Sequence, residues 1–114
     1  MKRRRLALSD AAIADIVEQY DWYAAQSGRS LAQRWEKAVT SAISLAAGCP
    51  AAGAPCRFRA EALRNVRQAS IAGFPKHLLF YRYHDEEVLV LRVVHGARDL
   101  ERLFSETREP KRYD

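Results

Sequence analysis

Apolar positions along the chain fall first into two stripes of helical period and then into two runs that are apolar on every position. Before them, Arg3 to Leu8 (RRRLAL) reads as a short strand. Ser9 stands where a helix would be capped, with Asp10 in the first turn, where a carboxylate suits the positive end of the helix dipole. Ile13, Ile16, Val17, Tyr20, Tyr23 and Ala24 then recur at i, i+3, i+4 and i+7. That spacing predicts an amphipathic helix of about five turns, closed by Gly28. Ser30 is placed to cap a second helix with the stripe Leu31, Trp35, Ala38, Val39, Ala42, Leu45 and Ala46, stopped by Gly48 and Pro50. The link between the two helices is so short that they should form an antiparallel hairpin.

Gly48 to Cys56 reads as a loop. Between Leu63 and Ile71 the period changes to two, with Val66, Gln68 and Ser70 alternating with Arg67, Ala69 and Ile71, and Gly73-Phe74-Pro75 reads as a turn. Leu78 to Tyr83 and Val88 to Val94 are apolar on both parities, the signature of central strands covered on at least one face. They are joined by His84-Asp85-Glu86-Glu87, a hairpin without the Asn-Gly or Asp-Gly of a tight primed turn. These strands set Arg82, Arg92 and His95 among residues expected to be buried. Gly96 breaks the last strand, and Arg98 to Glu106 reads as a short helix, with Asp99 at its start and Leu100, Leu103 and Phe104 on one face. The expected class is α+β. It begins with an N-terminal strand, a helical hairpin forms a second layer packed on a mainly antiparallel sheet, and a short C-terminal helix follows. One domain is expected over residues 1–106, with a polar tail over 107–114.

Composition narrows the picture. The chain has 114 residues, 48% hydrophobic and 29% charged, the balance of one soluble globular domain. No run of about 18 apolar residues offers a membrane span. The basic start Lys2-Arg3-Arg4-Arg5 is followed only by Leu6-Ala7-Leu8 before Ser9-Asp10, so no signal peptide is read and a cytoplasmic location is expected. The net charge of +5 and pI of about 9.6 favour acidic or nucleic-acid partners without specifying one. The basic start itself reads as a solvated approach to the first strand, in preference to a nucleic-acid arm. Cys49 and Cys56 lie in a Pro/Gly/Ala loop with no zinc spacing around them, and read as free thiols in a reducing compartment. No Walker loop, dinucleotide glycine pattern or serine-nucleophile motif occurs, so neither cofactor nor metal is expected.

Trp22 is the oddest residue of the first helix. It lies roughly 160° from the centre of the apolar stripe, beside Ala11, Ala14 and Ala25. A large aromatic there is either a docking surface or a lone exposed Trp, and the sequence leaves the two evenly matched. Trp35 sits inside its stripe and reads as core. His77, His84 and His95 are not a metal set, and nothing in the sequence brings them together. His95 with Arg92 and Arg98 has the residue types of a ribonuclease site, a base with cations for phosphate, but a strand exit and a helix cap use the same residues more simply. Arg57, Arg59, Arg64 and Arg67 read phosphate or form a solvated basic edge. Asp85, Glu86 and Glu87 form a hairpin charge cluster and are given no catalytic role.

The order of elements, together with GFPKHLLFYRY and VLRVVHGARDLERLF, resembles the ParE branch of the RelE/ParE toxin superfamily, the toxin halves of bacterial toxin–antitoxin modules. The resemblance covers Leu6 to Phe104. The opening helix SDAAIADIVEQYDWYAAQSG also fits it, with an aromatic pair near the helix end. The resemblance implies a cytoplasmic toxin held inactive by a cognate antitoxin, which wraps an extended and helical segment over the helices and sheet. The ParE branch is associated with inhibition of DNA gyrase without chemistry by the toxin. The RelE branch cuts mRNA in the ribosomal A site with basic residues over the sheet and often a tyrosine or histidine near the C-terminus. Only Lys76, His77 and Tyr113 loosely match that set, which favours the non-nuclease branch. On this resemblance Arg92, His95, Arg98 and Arg102 are the expected toxic surface, and Trp22 and Tyr23 the expected antitoxin contacts. No cofactor, metal or membrane partner is implied, and nucleic acid is met only through the target.

Overall fold

The structure, a computed structural model, describes residues 5–96. The helix expected over Arg98–Glu106 and the tail after it lie outside the described residues. Strand β1 (Arg5–Leu8) leads into helix α1 (Asp10–Ser27) and helix α2 (Arg29–Gly48). A two-residue strand β2 (Ala54–Pro55), then β3 (Val66–Ile71), β4 (Phe74–His84) and β5 (Glu87–His95) complete the order. The sheet runs β1-β5-β4-β3-β2, with β1 parallel to β5 and every other pair antiparallel. The two helices cover one face, so the expected α+β two-layer arrangement holds for the described residues.

Ser9 starts α1 as its type requires. Its extended backbone lets the side-chain oxygen accept from Ala12 N at 3.0 Å, while the same hydroxyl donates to Leu91 O at 2.7 Å. One buried serine thus joins the helix cap to β5. Gly28 ends α1 with φ of +95°, a conformation that suits glycine, and the next residue already belongs to α2. Ser30 therefore falls inside the first turn of α2 and caps nothing, and no side chain caps that helix.

The helix-side core gathers Ala12, Trp35, Val39, Ala42, Ile43 and Ala46 from the hairpin against Ile71, Leu79, Tyr81, Val88, Val90 and Val93 of the sheet. Trp35 is fully buried, as its stripe position required, and its indole N–H donates to Ile16 O at 3.2 Å. The other face of the sheet carries Val66, Phe80, Leu89, Leu91 and Val94, with Phe58 and Leu63 packed on it. A bulge explains how β5 serves both faces. Phe80 pairs with Arg92 but Tyr81 pairs with Val90, so Leu91 is an extra residue and the inward parity shifts from Val88 and Val90 to Val93.

Several expected positions are corrected. Ile13 and Val17 are exposed, and the buried side of α1 runs instead through Ala12, with Ile16, Tyr20 and Tyr23 packed on the core. Polar Asp15 and Gln19 also face the sheet, so the apolar stripe is rotated away from the true inner face. Leu45 is 74% exposed and Ile43 takes the core position. Ala72 and Gly73 turn the chain, Gly73 with φ of +84°, while Phe74 and Pro75 begin β4. Ile71 pairs with Phe74 and Ser70 with Leu78, so Pro75 lies in a bulge where no ladder N–H is needed. The stretch expected as plain loop holds a 3-10 turn at Pro50–Ala52 and the strand β2.

Candidate functional site: a groove between the first helix and the strand ends

The end of β5 runs beyond β1, whose last paired residue, Leu8, stands opposite Val90. Helix α1 crosses the vacated edge. Its Asp15 carboxylate accepts from Val93 N at 3.0 Å, in the place a further strand would take, and holds Arg92 through Nε and Nη2, both at 2.7 Å. The Arg92 and Asp15 side chains are only 12% and 11% exposed. A two-point pair with so little solvent fixes both groups. Arg92, one of the residues expected on the toxic surface, thereby clamps α1 to β5.

Beyond this clamp lies a groove of about 780 Å³. Asp15, Glu18, Gln19 and Trp22 of α1 form one wall. Phe74, Pro75, Lys76 and His77 of β4, with His95 of β5, form the other, and Tyr23 and Leu31 reach in from the hairpin. Trp22 is 57% exposed, and its ring stands edge-on to Tyr23 at 5.7 Å. Tyr23 in turn meets Trp35 at 5.9 Å and Phe74 at 5.7 Å, so the outer indole rests on an aromatic stack reaching the core. The pair Trp22–Tyr23 expected from sequence is therefore one exposed and one supporting residue.

His77 and His95 do converge, against expectation. They are cross-strand partners with ring centroids 5.7 Å apart. His77 is 8% exposed, packs on Trp35 at 4.8 Å and lies 3.3 Å from Gln19 Oε1 through Nε2. Burial pushes its imidazole below the ordinary value, and the field of His95 adds to this. Cross-strand pairing supplies this neighbour, and register is invisible to a local sequence pattern. His84 sits apart, exposed beside Asp85 at 3.2 Å.

The arginines divide as well. Arg67 donates to Gly53 O at 2.6 Å and stands over the Tyr83 ring at 5.6 Å, which makes it a tie between β3 and the loop before β2. Arg57, Arg59 and Arg64 are exposed. Arg98, Arg102 and Tyr113 lie outside the described residues. Both cysteines are free, and among the described residues no three His, Cys, Asp or Glu side chains stand close enough to hold a metal ion. Among the described residues no helix is long and apolar enough to cross a membrane.

The sequence profile described as "ParE toxin of type II toxin-antitoxin system, parDE" matches residues 6–100. A solved structure titled "Chromosomal ParDE TA system from P. aeruginosa" superposes with a TM-score of 0.67 at 18% identity. The superposition covers 82% of this chain and 96% of that one, a likeness of fold. Among curated proteins none matches.

Proposed function

Because the chain belongs to the ParE family of type II toxin–antitoxin toxins, we propose that it acts in the cytoplasm by binding and inhibiting DNA gyrase, and that a cognate antitoxin seated in the groove beside α1 keeps it inactive. One observation supports binding over chemistry: the groove opens on an exposed indole, while the arginine of β5, Arg92, is already committed to Asp15. Trp22 is the anchor for the antitoxin, and Tyr23 supports it from below. His95, Arg98 and Arg102 are the residues that meet the target, and Arg92 braces the end of β5 through Asp15.

A second reading, a ribosome-dependent mRNA endoribonuclease, is favoured by the juxtaposition of His77 and His95, two acid–base groups at one end of the groove. Induction in cells, with DNA supercoiling and mRNA cleavage read out separately, decides between them. Gyrase inhibition predicts altered supercoiling with intact A-site codons. Codon-specific mRNA cleavage that disappears in His95→Ala would sink the gyrase reading.

A further inference from the structure

Helix α1 is the acidic element of a basic protein. Asp10, Asp15, Glu18 and Asp21 all lie within Asp10–Ser27, a segment without Lys or Arg, whereas the whole chain carries +5. Asp15 is neutralised by Arg92, so the acid left on the groove wall is Glu18. Glu18 is exposed and forms no ion pair among the described residues. It stands four residues before Trp22, a spacing that puts the two side chains side by side on one helix face. A carboxylate beside an open indole is a receptor for a planar cation. The acid takes two N–H groups of a guanidinium while the ring takes its face. Lysine is a poorer match, because its ammonium offers neither a plane to stack nor a fork to pair. The stack of Trp22 on Tyr23, Trp35 and Phe74 holds the indole in place before anything binds, which lowers the ordering cost of association. Across the groove Lys76 carries the opposite sign and is likewise without an ion pair among the described residues. A segment basic throughout would therefore meet repulsion on that side.

We propose that this wall is an arginine receptor: the antitoxin segment that fills the groove lays one arginine on Trp22 and pairs it with Glu18. The inference rests on the reading that the groove is the antitoxin's dock, and the experiment separates the two. A random-peptide library is selected on the full chain, and the strongest binder is titrated against it by following fluorescence. Arginine should be enriched. Replacing that arginine by citrulline, its neutral isostere, should weaken binding about tenfold, and so should Glu18→Gln or Trp22→Leu in the protein. Both protein variants alter exposed side chains and should melt as the parent does. If binding depends on Trp22 but survives citrulline or Glu18→Gln, the arginine assignment is overturned and the docking groove stands. If the selected peptides bind Trp22→Ala as tightly as the parent, the groove is not the dock and both readings fall.

Discussion

Tyr81 shows how much a single hydroxyl can organise. It donates to Pro50 O at 2.6 Å and accepts from Gly53 N at 3.1 Å, so the chain leaving α2 is fastened to the middle of β4. A methyl group on Gly53 would overlap that hydroxyl, which explains the glycine by space rather than by backbone conformation. Tyr81→Phe should cost about 1–3 kcal/mol, because the buried carbonyl of Pro50 and the partly buried N–H of Gly53 lose their partner. Gly53→Ala should also destabilise. The double variant should lose less than the sum, since removing the hydroxyl takes away the closest overlap with the methyl. Urea unfolding of the three variants checks this, and strict additivity would contradict the proposed overlap. His77 offers a second residue-scale test. Its folded-state value lies below that of the unfolded chain, about 6.5, so the native state favours the neutral ring. The stability this contributes is complete above about pH 6.5 and is lost as pH falls through that value toward the lower folded one. Melting of the parent between roughly pH 7.5 and pH 5 should therefore fall more steeply than that of His77→Gln. Parallel curves would show that another group governs the acid limb.

At the scale of elements, α1 is held to the sheet by polar groups as much as by apolar ones. Ser9 grips Leu91, Asp15 grips Arg92 and Val93, and Gln19 meets His77. Asp15→Ala should cost about 3–5 kcal/mol by leaving a mostly buried guanidinium without its carboxylate. Thermal melting of that variant measures the loss, and a change below about 1 kcal/mol would mean that solvent replaces the pair. The same polar strip explains what the sequence could and could not reveal. The Ser9 cap, the core place of Trp35, the short helical hairpin and the two long strands are all local patterns, and each was readable. The inward face of α1 was not, because Asp15 and Gln19 point at the sheet while Ile13 and Val17 point at solvent. Hydrophobic period alone then finds Ile16, Tyr20 and Tyr23 but sets the face partly off, on Ile13 and Val17. The outward Trp22 was recognisable by its isolation from the stripe. Its groove was not, because the opposite wall comes from strand ends more than fifty positions further along the chain. The meeting of His77 and His95 depends on a register that a bulge at Leu91 resets.

Taken as a whole, the molecule separates its two tryptophans into different tasks. Trp35 is at the centre of the helix-side core, and Trp35→Ala should lower stability by roughly 3–5 kcal/mol. Trp22 lies on the rim of the groove, and Trp22→Ala should leave melting nearly unchanged while weakening the antitoxin complex by about tenfold or more. Calorimetric titration of the antitoxin into the folded variant, beside a melting curve of each, distinguishes the two roles. A Trp22→Ala complex of undiminished affinity would remove that side chain from the interface, and an unshifted melting point in Trp35→Ala would contradict the packing described for α2.

The parallel pairing of β1 with β5 also governs when the protein can exist during translation. The strand made first has its partner among the last described residues, and the Ser9–Leu91 bond closes a separation of 82 positions. A nascent chain ending at His84 already contains both helices, but it lacks the strand that lies between β1 and β4 and the arginine that fixes α1. Such a chain has nothing to close against, so folding must wait for β5 to clear the ribosome. Ribosome-bound chains arrested with His84 outside the exit tunnel should be digested readily by protease, and chains arrested with His95 well outside should resist. Protection of the shorter chain would show that the hairpin and the remaining strands assemble without the central strand.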